Sequence, residues 1–309
     1  MILAIFAVIC ATAWLVTVAV PALLAAPLEA AVTALHRQIE RSGSLARRIV
    51  PERWTGSISD APLIGLLAAV LIFGLWAFFG ILEDVVMGDP IVGLDTSVYA
   101  RLQEVRTAPF DRLLVAITGL GDRSVVVPVA LAGLVTLGLL GRWREAWYLM
   151  AAVAGAAVFV AGIKRVIHRP RPVAIYDGLA EYSFPSGHAC MSVVLYGFLA
   201  FLVTRGAPPA WRRGIAWAAL VLILLIAFSR VYLGAHWLSD VVAGLAFGAA
   251  WIALLALFYL RTGPPPVPAA ALGVVLAVAL AAAGTLHIMR DATAEAGRYG
   301  APAGPVPSR

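Results

Sequence analysis

Charged residues are scarce in this sequence, and their scarcity limits the classes of protein that it can encode. They make up 13% of the 309 residues, against roughly 25% in soluble domains, while hydrophobic residues make up 62%. The mean hydropathy is +0.92. These values exclude a soluble globular domain, and they exclude a disordered chain, which needs low hydrophobicity and high net charge. The sequence therefore predicts an integral membrane protein.

Cysteine and lysine are also rare. The two cysteines, Cys10 and Cys190, are too few for a disulfide-stapled secreted module, and both lie in apolar stretches, so we expect them to be buried. The basic residues are 22 Arg and one Lys, Lys164, and the net charge is +6. No basic patch is interleaved with aromatic residues, and basic residues beside apolar runs usually serve membrane orientation, so nucleic acid is not an expected partner.

Long runs without charge occupy most of the chain. A transmembrane helix needs about 17–25 mostly apolar residues, and runs of this kind predict an all-α membrane protein with about eight spans. The runs are residues 2–26, 61–82, 125–140, 146–163, 189–203, 214–228, 241–260 and 269–287. The expected organisation is an N-terminal span and basic linker (1–60), a six-span core (61–260), and a C-terminal span with a disordered tail (261–309).

The first run and the segment after it each have two interpretations. Run 2–26 lacks a positive start and is followed by Ala25, Ala26 and Ala30, so a cleaved signal peptide competes with an uncleaved anchor. We favour the anchor, because cleavage would leave the basic segment 27–60 outside the cell. That segment carries five Arg with apolar residues between them and predicts an interfacial amphipathic stretch or a solvated linker.

The distribution of arginine predicts the orientation in the membrane. If all eight runs cross the bilayer, one side holds loops 27–60, 141–145, 204–213 and 261–268, which carry 11 Arg and no Lys. The positive-inside rule makes these compact loops cytoplasmic. The segments 83–124 and 164–187 are then extracytoplasmic, and 83–124 is long enough to cover a site there. The Arg-rich and Ala-rich composition favours a bacterial inner membrane.

Ionisable residues beside apolar runs usually mark function in a membrane protein, and three clusters of them share the extracytoplasmic side. The clusters are residues 164–172 (KRVIHRPRP), 184–188 (FPSGH) and 229–240 (SRVYLGAHWLSD). Because they emerge at one face, they can converge on one site. Lys164, Arg171 and Arg230 would form a cage for an anion, with the ammonium as a point charge and the guanidinium groups as forked donors. Anchoring to lipid head groups is the alternative for these cations.

The other two clusters add groups suited to catalysis. Ser186 is expected to cap a helix whose free backbone N–H groups, beginning at Gly187, would face an anion, and His188 would stand in its first turn. His236 and Asp240 lie four residues apart, so a helix would place the carboxylate on one ring nitrogen and leave the other free as a nucleophile or base. A plain capped helix and a structural His–Asp pair are the corresponding alternatives.

Two other chemistries could use these residues. Metal binding is disfavoured, because three cations share the site and a metal-helix fingerprint such as H-E-x-x-H is absent. A serine nucleophile in a triad with His and Asp is also disfavoured, because Ser186 is needed as a cap and phosphate donor. We therefore expect no metal and no other cofactor.

Taken together, the three clusters resemble the three-part signature of the type 2 phosphatidic acid phosphatase superfamily, K-x6-R-P, P-S-G-H and S-R-x5-H-x3-D. The matching positions are Lys164, Arg171, Pro172, Pro185, Ser186, Gly187, His188, Ser229, Arg230, His236 and Asp240. Each part alone is a weak pattern, but the three in order are specific. The resemblance covers roughly residues 61–260, and it does not explain the first and last spans.

The resemblance implies a metal-independent phosphatase with three catalytic positions. His236 would attack phosphorus and become a phosphohistidine, Asp240 would orient it, and His188 would protonate the leaving alkoxide and then activate water. The phosphate oxygens would be bound by Lys164, Arg171, Ser186, Gly187 and Arg230. The soluble relatives, vanadium haloperoxidases and acid phosphatases, do not fit a membrane chain.

The expected substrate follows from a site at the membrane face. A lipid phosphate can keep its tails in the bilayer while its head group reaches the site; phosphatidic acid, phosphatidylglycerol phosphate and undecaprenyl pyrophosphate are candidates. A transporter or head-group-binding protein without hydrolysis is the alternative function, although a binder needs the cations and not His188 or His236. The sequence leaves the oligomeric state open.

Overall fold

The computed structural model describes residues 61–88, 91–173, 181–261 and 265–299, and among them the regular structure is helical, with turns and short loops between the helices. The predicted first span and the basic segment 27–60 lie outside these ranges. The helices are α1 (Ala61–Met87), α2 (Ile91–Glu104), α3 (Ala108–Gly119), α4 (Arg123–Leu139), α5 (Trp143–Ile167), α6 (Gly187–Ser192), α7 (Phe198–Gly206), α8 (Pro209–Tyr232), α9 (Leu238–Leu260) and α10 (Ala269–Tyr299).

Seven stretches among the described residues are long and apolar enough to cross a membrane, and they correspond to the second to eighth predicted runs. The predicted all-α membrane fold is thus confirmed. The helices extend beyond the charge-free runs, because helix ends accept polar residues where they reach head groups or water. The stretch that corresponds to the third predicted run differs most: it is Ala108–Leu139, 32 residues long, in which α3 and α4 are separated by a turn at Leu120 and Gly121.

The fifth predicted run is one continuous helix made of three pieces. A π-helical turn, Val193–Gly197, joins α6 to α7. This helix is the most enclosed of the membrane helices, and Cys190, Leu195 and Phe198 on it are fully buried. Burial of Cys190 agrees with the sequence analysis, whereas Cys10 lies outside the described residues.

Small residues allow α9 to approach its neighbours closely. A Cβ atom on Gly244 would come within 2.6 Å of the carbonyl oxygen of Ser186, and one on Gly248 within 3.0 Å of that of Cys190. The two glycines form a G-x-x-x-G pair, which lets helix backbones touch in membranes. The start of α6 is thereby held directly against the first turns of α9.

The C-terminal helix α10 packs along α4 and α3. Its residue His287 is buried, its Nδ1 lies 2.8 Å from the hydroxyl of Ser124, and its ring lies on Gly119, where a Cβ atom would come within 2.3 Å. This helix therefore reaches the turn between α3 and α4, although it lies beyond the predicted six-span core. The helix continues past Ala296, where the sequence predicts a disordered tail, and residues 300–309 lie outside the described part.

Candidate active site

Four helix ends and the turns beside them bring the three sequence clusters together at one face of the bundle. Lys164 lies in the last turn of α5, His188 in the first turn of α6, Arg230 in the last turn of α8, and Asp240 in the first turn of α9. Helix α5 ends at His168, whose left-handed backbone (φ 50°, ψ 29°) turns the chain back toward the site. The alternation of the eight predicted spans, which puts the three clusters at one membrane face, is what indicated that they could converge.

His236 and Asp240 form the centre of the site. The Nδ1 atom of His236 lies 3.4 Å from Oδ2 of Asp240, and both side chains are almost completely buried. The backbone N–H of Trp237 donates to the same carboxylate oxygen at 3.0 Å. The carboxylate therefore favours the tautomer with hydrogen on Nδ1, which leaves the lone pair of Nε2 available.

Arg171 faces that available nitrogen. Its Nη1 atom lies 2.9 Å from Nε2 of His236 and also donates to the carbonyl oxygen of Ala235. An arginine is always a donor, so Nε2 acts as the acceptor in this contact. A phosphoryl group attacked by Nε2 would have to take the place of this contact, which would leave the guanidinium beside the phosphate oxygens.

The other two cations, Lys164 and Arg230, each donate a hydrogen bond to a neutral oxygen. Lys164 is buried and its Nζ donates to the carbonyl oxygen of Tyr182. Arg230 is fully buried and donates from Nη1 to the hydroxyl of Thr118 at 2.9 Å. With Arg171 they give the site a strong positive charge in a poorly hydrated setting, which suits it to an anion such as phosphate.

Burial and the positive charge of the site favour the neutral form of His236. Burial, together with the positive charges of Arg171, Arg230 and Lys164, holds the pKa of His236 well below its usual range. A neutral imidazole with a free lone pair is the form that can act as a nucleophile.

The second cluster forms the helix start that the sequence predicts. Ser186 is the N-cap of α6, and its Oγ accepts from the backbone N–H of Ala189 at 3.5 Å. The backbone N–H of Ser186 donates to the carbonyl oxygen of Asp240 at 2.9 Å, which ties this cluster to the third. Gly187 and His188 are half-buried, so they border the open side of the site.

Some polar residues at the site were missed by sequence reasoning. Asp122 lies in the turn before α4, and its Oδ2 is 3.9 Å from Nε2 of His188. Arg169 donates to Oδ1 of Asp240 at 2.6 Å, and Asp95 of α2 accepts from Arg169 at 2.7 Å. Arg169 stands two positions before the motif arginine, which was a usable signal; Asp95 and Asp122 are far from the motifs in sequence and gave none.

Comparison of the sequence with known proteins finds relatives of this chain. The sequence model of the PAP2 superfamily matches residues 145–264, which contain every motif position. Phosphatidylglycerophosphatase B of Bacillus subtilis is 28% identical over 195 residues, covering 61% of this chain and 92% of that protein. Undecaprenyl-diphosphatase of Sulfolobus acidocaldarius is 27% identical, covering 62% and 90%.

The fold has a counterpart among solved structures. A transmembrane PAP2-type phosphatidylglycerolphosphate phosphatase from Bacillus subtilis superposes with a TM-score of 0.52 at 23% identity, covering 62% of this chain and 95% of that one. Helix α10 lies beyond the region that the family model matches. The PAP2 superfamily pattern is therefore present in residues 145–264 of this chain, and the described helices share the fold of the solved phosphatase.

Proposed function

We propose that this protein is a membrane lipid phosphatase that hydrolyses a phosphomonoester or pyrophosphate head group without a metal. The observation that carries the proposal is the pairing of His236 with Asp240 on one ring nitrogen and with the cation cage on the other. A protein that only binds phosphate needs the cations but has no use for an oriented, neutral histidine. The names of the relatives, which include a phosphatidylglycerophosphatase and an undecaprenyl-diphosphatase, support the same class.

The proposed reaction has two steps. Nε2 of His236 attacks phosphorus, the bond from phosphorus to the leaving oxygen breaks, and His188 gives that oxygen a proton. His188 then takes a proton from water, the water oxygen attacks phosphorus, the bond from phosphorus to Nε2 of His236 breaks, and inorganic phosphate leaves. Lys164, Arg171, Arg230, Ser186 and the Gly187 N–H hold the phosphate oxygens, so that positioning and charge neutralisation supply most of the rate.

The proposed location is a bacterial inner membrane with the site on the periplasmic face. The Arg-rich loops support this orientation, because the helix ends that carry Arg142, Arg144, Arg205 and Arg212 lie at the opposite end of the bundle from the site. The proposed substrates are phosphatidic acid, phosphatidylglycerol phosphate and undecaprenyl pyrophosphate, whose tails stay in the bilayer.

The test compares the two histidines in detergent with EDTA present. Wild type should release phosphate from at least one of the three lipids, and His236→Ala should release none. With an activated aryl phosphate, whose leaving group needs no proton, His188→Ala should still be phosphorylated and should accumulate the phosphoenzyme, because the second step lacks its base. Phosphoenzyme in His236→Ala, or no hydrolysis by folded wild type, would contradict the proposal and favour a binding or transport role.

A further inference from the structure

Asp240 is held in place by a buried polar network whose other members, Arg169, Ser239 and Asp95, are not defining positions of the three motifs. Arg169 donates from Nη1 to Oδ1 of Asp240 at 2.6 Å and to the hydroxyl of Ser239 at 2.7 Å, and from Nη2 to Oδ2 of Asp95 at 2.7 Å. The backbone N–H of Ser239 donates to Oδ1 of Asp95 at 2.8 Å, and its hydroxyl donates to Oδ2. All four side chains are at most 4% exposed.

The two carboxylate oxygens of Asp240 contact different partners. Oδ2 faces His236 and the N–H of Trp237, whereas Oδ1 accepts from Arg169. A carboxylate with both oxygens engaged cannot rotate without breaking a charge-assisted hydrogen bond in a buried setting. The plane of Asp240, and with it the direction of the His236 ring, therefore depends on Arg169.

Helix α2 supplies the other end of the network from one of its faces. Asp95, Tyr99 and Gln103 are spaced four residues apart and all point at the segment that carries His236. The Tyr99 ring lies 5.8 Å from that of Trp237, and Gln103 donates to the carbonyl oxygen of Tyr232 at 3.2 Å. The side chain of Arg169 is thereby fixed between α2 and the start of α9.

We propose that Arg169 and Asp95 are positioning residues for the phosphatase reaction: they fix the carboxylate of Asp240, and through it they aim Nε2 of His236 at phosphorus. The proposal rests on the proposed function and adds two residues, one of them outside the family match at residues 145–264. Neither residue is assigned contact with the substrate; both act through Asp240.

The charges of the network predict that substitutions of Arg169 and of Asp95 shift the pKa of His236 in opposite directions. One guanidinium lies between two carboxylates, Asp95 and Asp240. Replacing Arg169 by Gln removes a positive charge near Asp240, so the pKa of His236 should rise. Replacing Asp95 by Asn removes a negative charge and lets Arg169 act on Asp240 alone, so the pKa of His236 should fall.

The experiment measures kcat, KM and the pH profile of kcat/KM for wild type, Arg169→Gln, Arg169→Lys and Asp95→Asn in detergent. We expect Arg169→Gln to lower kcat about 100-fold, the order of loss caused by a misplacement of about 1 Å, with KM within about twofold, because the phosphate-binding residues are untouched. Arg169→Lys keeps the charge and should restore part of kcat. Arg106→Gln is the matched control, since Arg106 forms a similar ion pair with Asp111 at 2.9 Å that does not involve Asp240.

The pH profile separates positioning from a merely structural role. The acidic limb of the kcat/KM profile should move to higher pH in Arg169→Gln and to lower pH in Asp95→Asn. Ionisation of the substrate contributes equally to every profile, because the same substrate is used for all variants. The groups that face His236 and remain unchanged in both variants are Lys164 from α5, Arg171 from the loop after α5, His188 from α6, Arg230 from α8 and Asp240 from α9.

Each outcome either supports or overturns the positioning role of Arg169 and Asp95. Opposite shifts with a kcat loss absent from Arg106→Gln support the proposal. If wild type hydrolyses the lipid but both variants match the control, or lose thermal stability with an unmoved limb, the positioning role is wrong and the phosphatase function stands. If Arg169→Gln does not fold, Arg169→Lys and Asp95→Asn decide by the same criteria. If folded wild type hydrolyses no lipid phosphate, the proposed function fails and the positioning role falls with it.

Discussion

Asp122 combines two tasks in a single side chain. Its Oδ1 accepts from the N–H of Ser124 at 2.8 Å as the N-cap of α4, and its Oδ2 lies 3.9 Å from Nε2 of His188. A negative charge at this place stabilises the protonated imidazole, which is the form that can give a proton to a leaving alkoxide. The residue therefore connects the start of a membrane helix with the acid step.

Replacing Asp122 by Asn should separate the two tasks, because Asn is as good an N-cap as Asp but carries no charge. We expect about a tenfold loss of kcat with an alkyl phosphate lipid, a small part of the roughly 10²–10⁴-fold that acid–base catalysis supplies. With an activated aryl phosphate the loss should be slight. Rate measurements on the two substrates check this, and equal losses on both would mean that Asp122 does not assist protonation.

The side chains of the site show what a motif conveys and what it leaves out. The motif indicated Lys164, Arg171, His188 and His236 and the face at which they meet, because polar residues beside apolar runs are few. Asp95 was left unassigned in the long segment 83–124, since its function depends on tertiary contact with Arg169. A residue of that kind has no local pattern from which it could be predicted.

Helix α9 positions half of the site through its contact with α6. The carbonyl oxygen of Ser186 lies where a Cβ atom of residue 244 would be, 2.6 Å away, and it also accepts from the N–H of Cys190 at 3.0 Å. A backbone atom of a neighbouring helix cannot move aside as the end of a flexible side chain can. Gly244 is therefore required for the alignment of His188 with His236, a point that the span prediction for 241–260 did not contain.

We predict that Gly244→Ala destabilises the protein by about 1–3 kcal/mol, the usual cost of overpacking, and lowers kcat, because it pushes α6 away from α9. Gly80→Ala on α1 is the matched control: nothing lies within 4 Å of its added Cβ atom, so stability should be unchanged or rise by up to about 1 kcal/mol. Unfolding in detergent measures both. Equal stability of the two variants would show that the contact can relax.

The bundle as a whole has the candidate site at one end and the short Arg-bearing loops at the other. The site lies at the ends of α5 and α8 and the starts of α6 and α9, and the short Arg-bearing connections lie at the other end. Runs of apolar residues and alternation of loops were enough to predict this polarity. They were not enough to predict how α10 packs, because contacts such as His287 with Ser124 join residues 163 positions apart.

The orientation gives a prediction for the intact protein in a bacterial cell. A reporter that is active only in the periplasm should be active when fused after Val173 and inactive when fused after Pro208, because the first position lies at the end that carries the candidate site and the second at the end that carries the short Arg-bearing loops. A cytoplasmic reporter at the same positions should give the reverse pattern. If both reporters gave the inverted result, the active site would face the cytoplasm.

The π-helical turn Val193–Gly197 fixes how α6 is rotated relative to α7 within one membrane helix. A π turn contains one residue more than an α turn, so the helix before it is rotated by about 100° relative to the helix after it, compared with an unbroken α-helix. Helix α6, before the turn, must direct His188 toward the site, and helix α7, after the turn, must bury Phe198 and Leu202. Loss of one residue here would still leave a helix able to cross the bilayer, but one of these two faces would be out of phase with its partners.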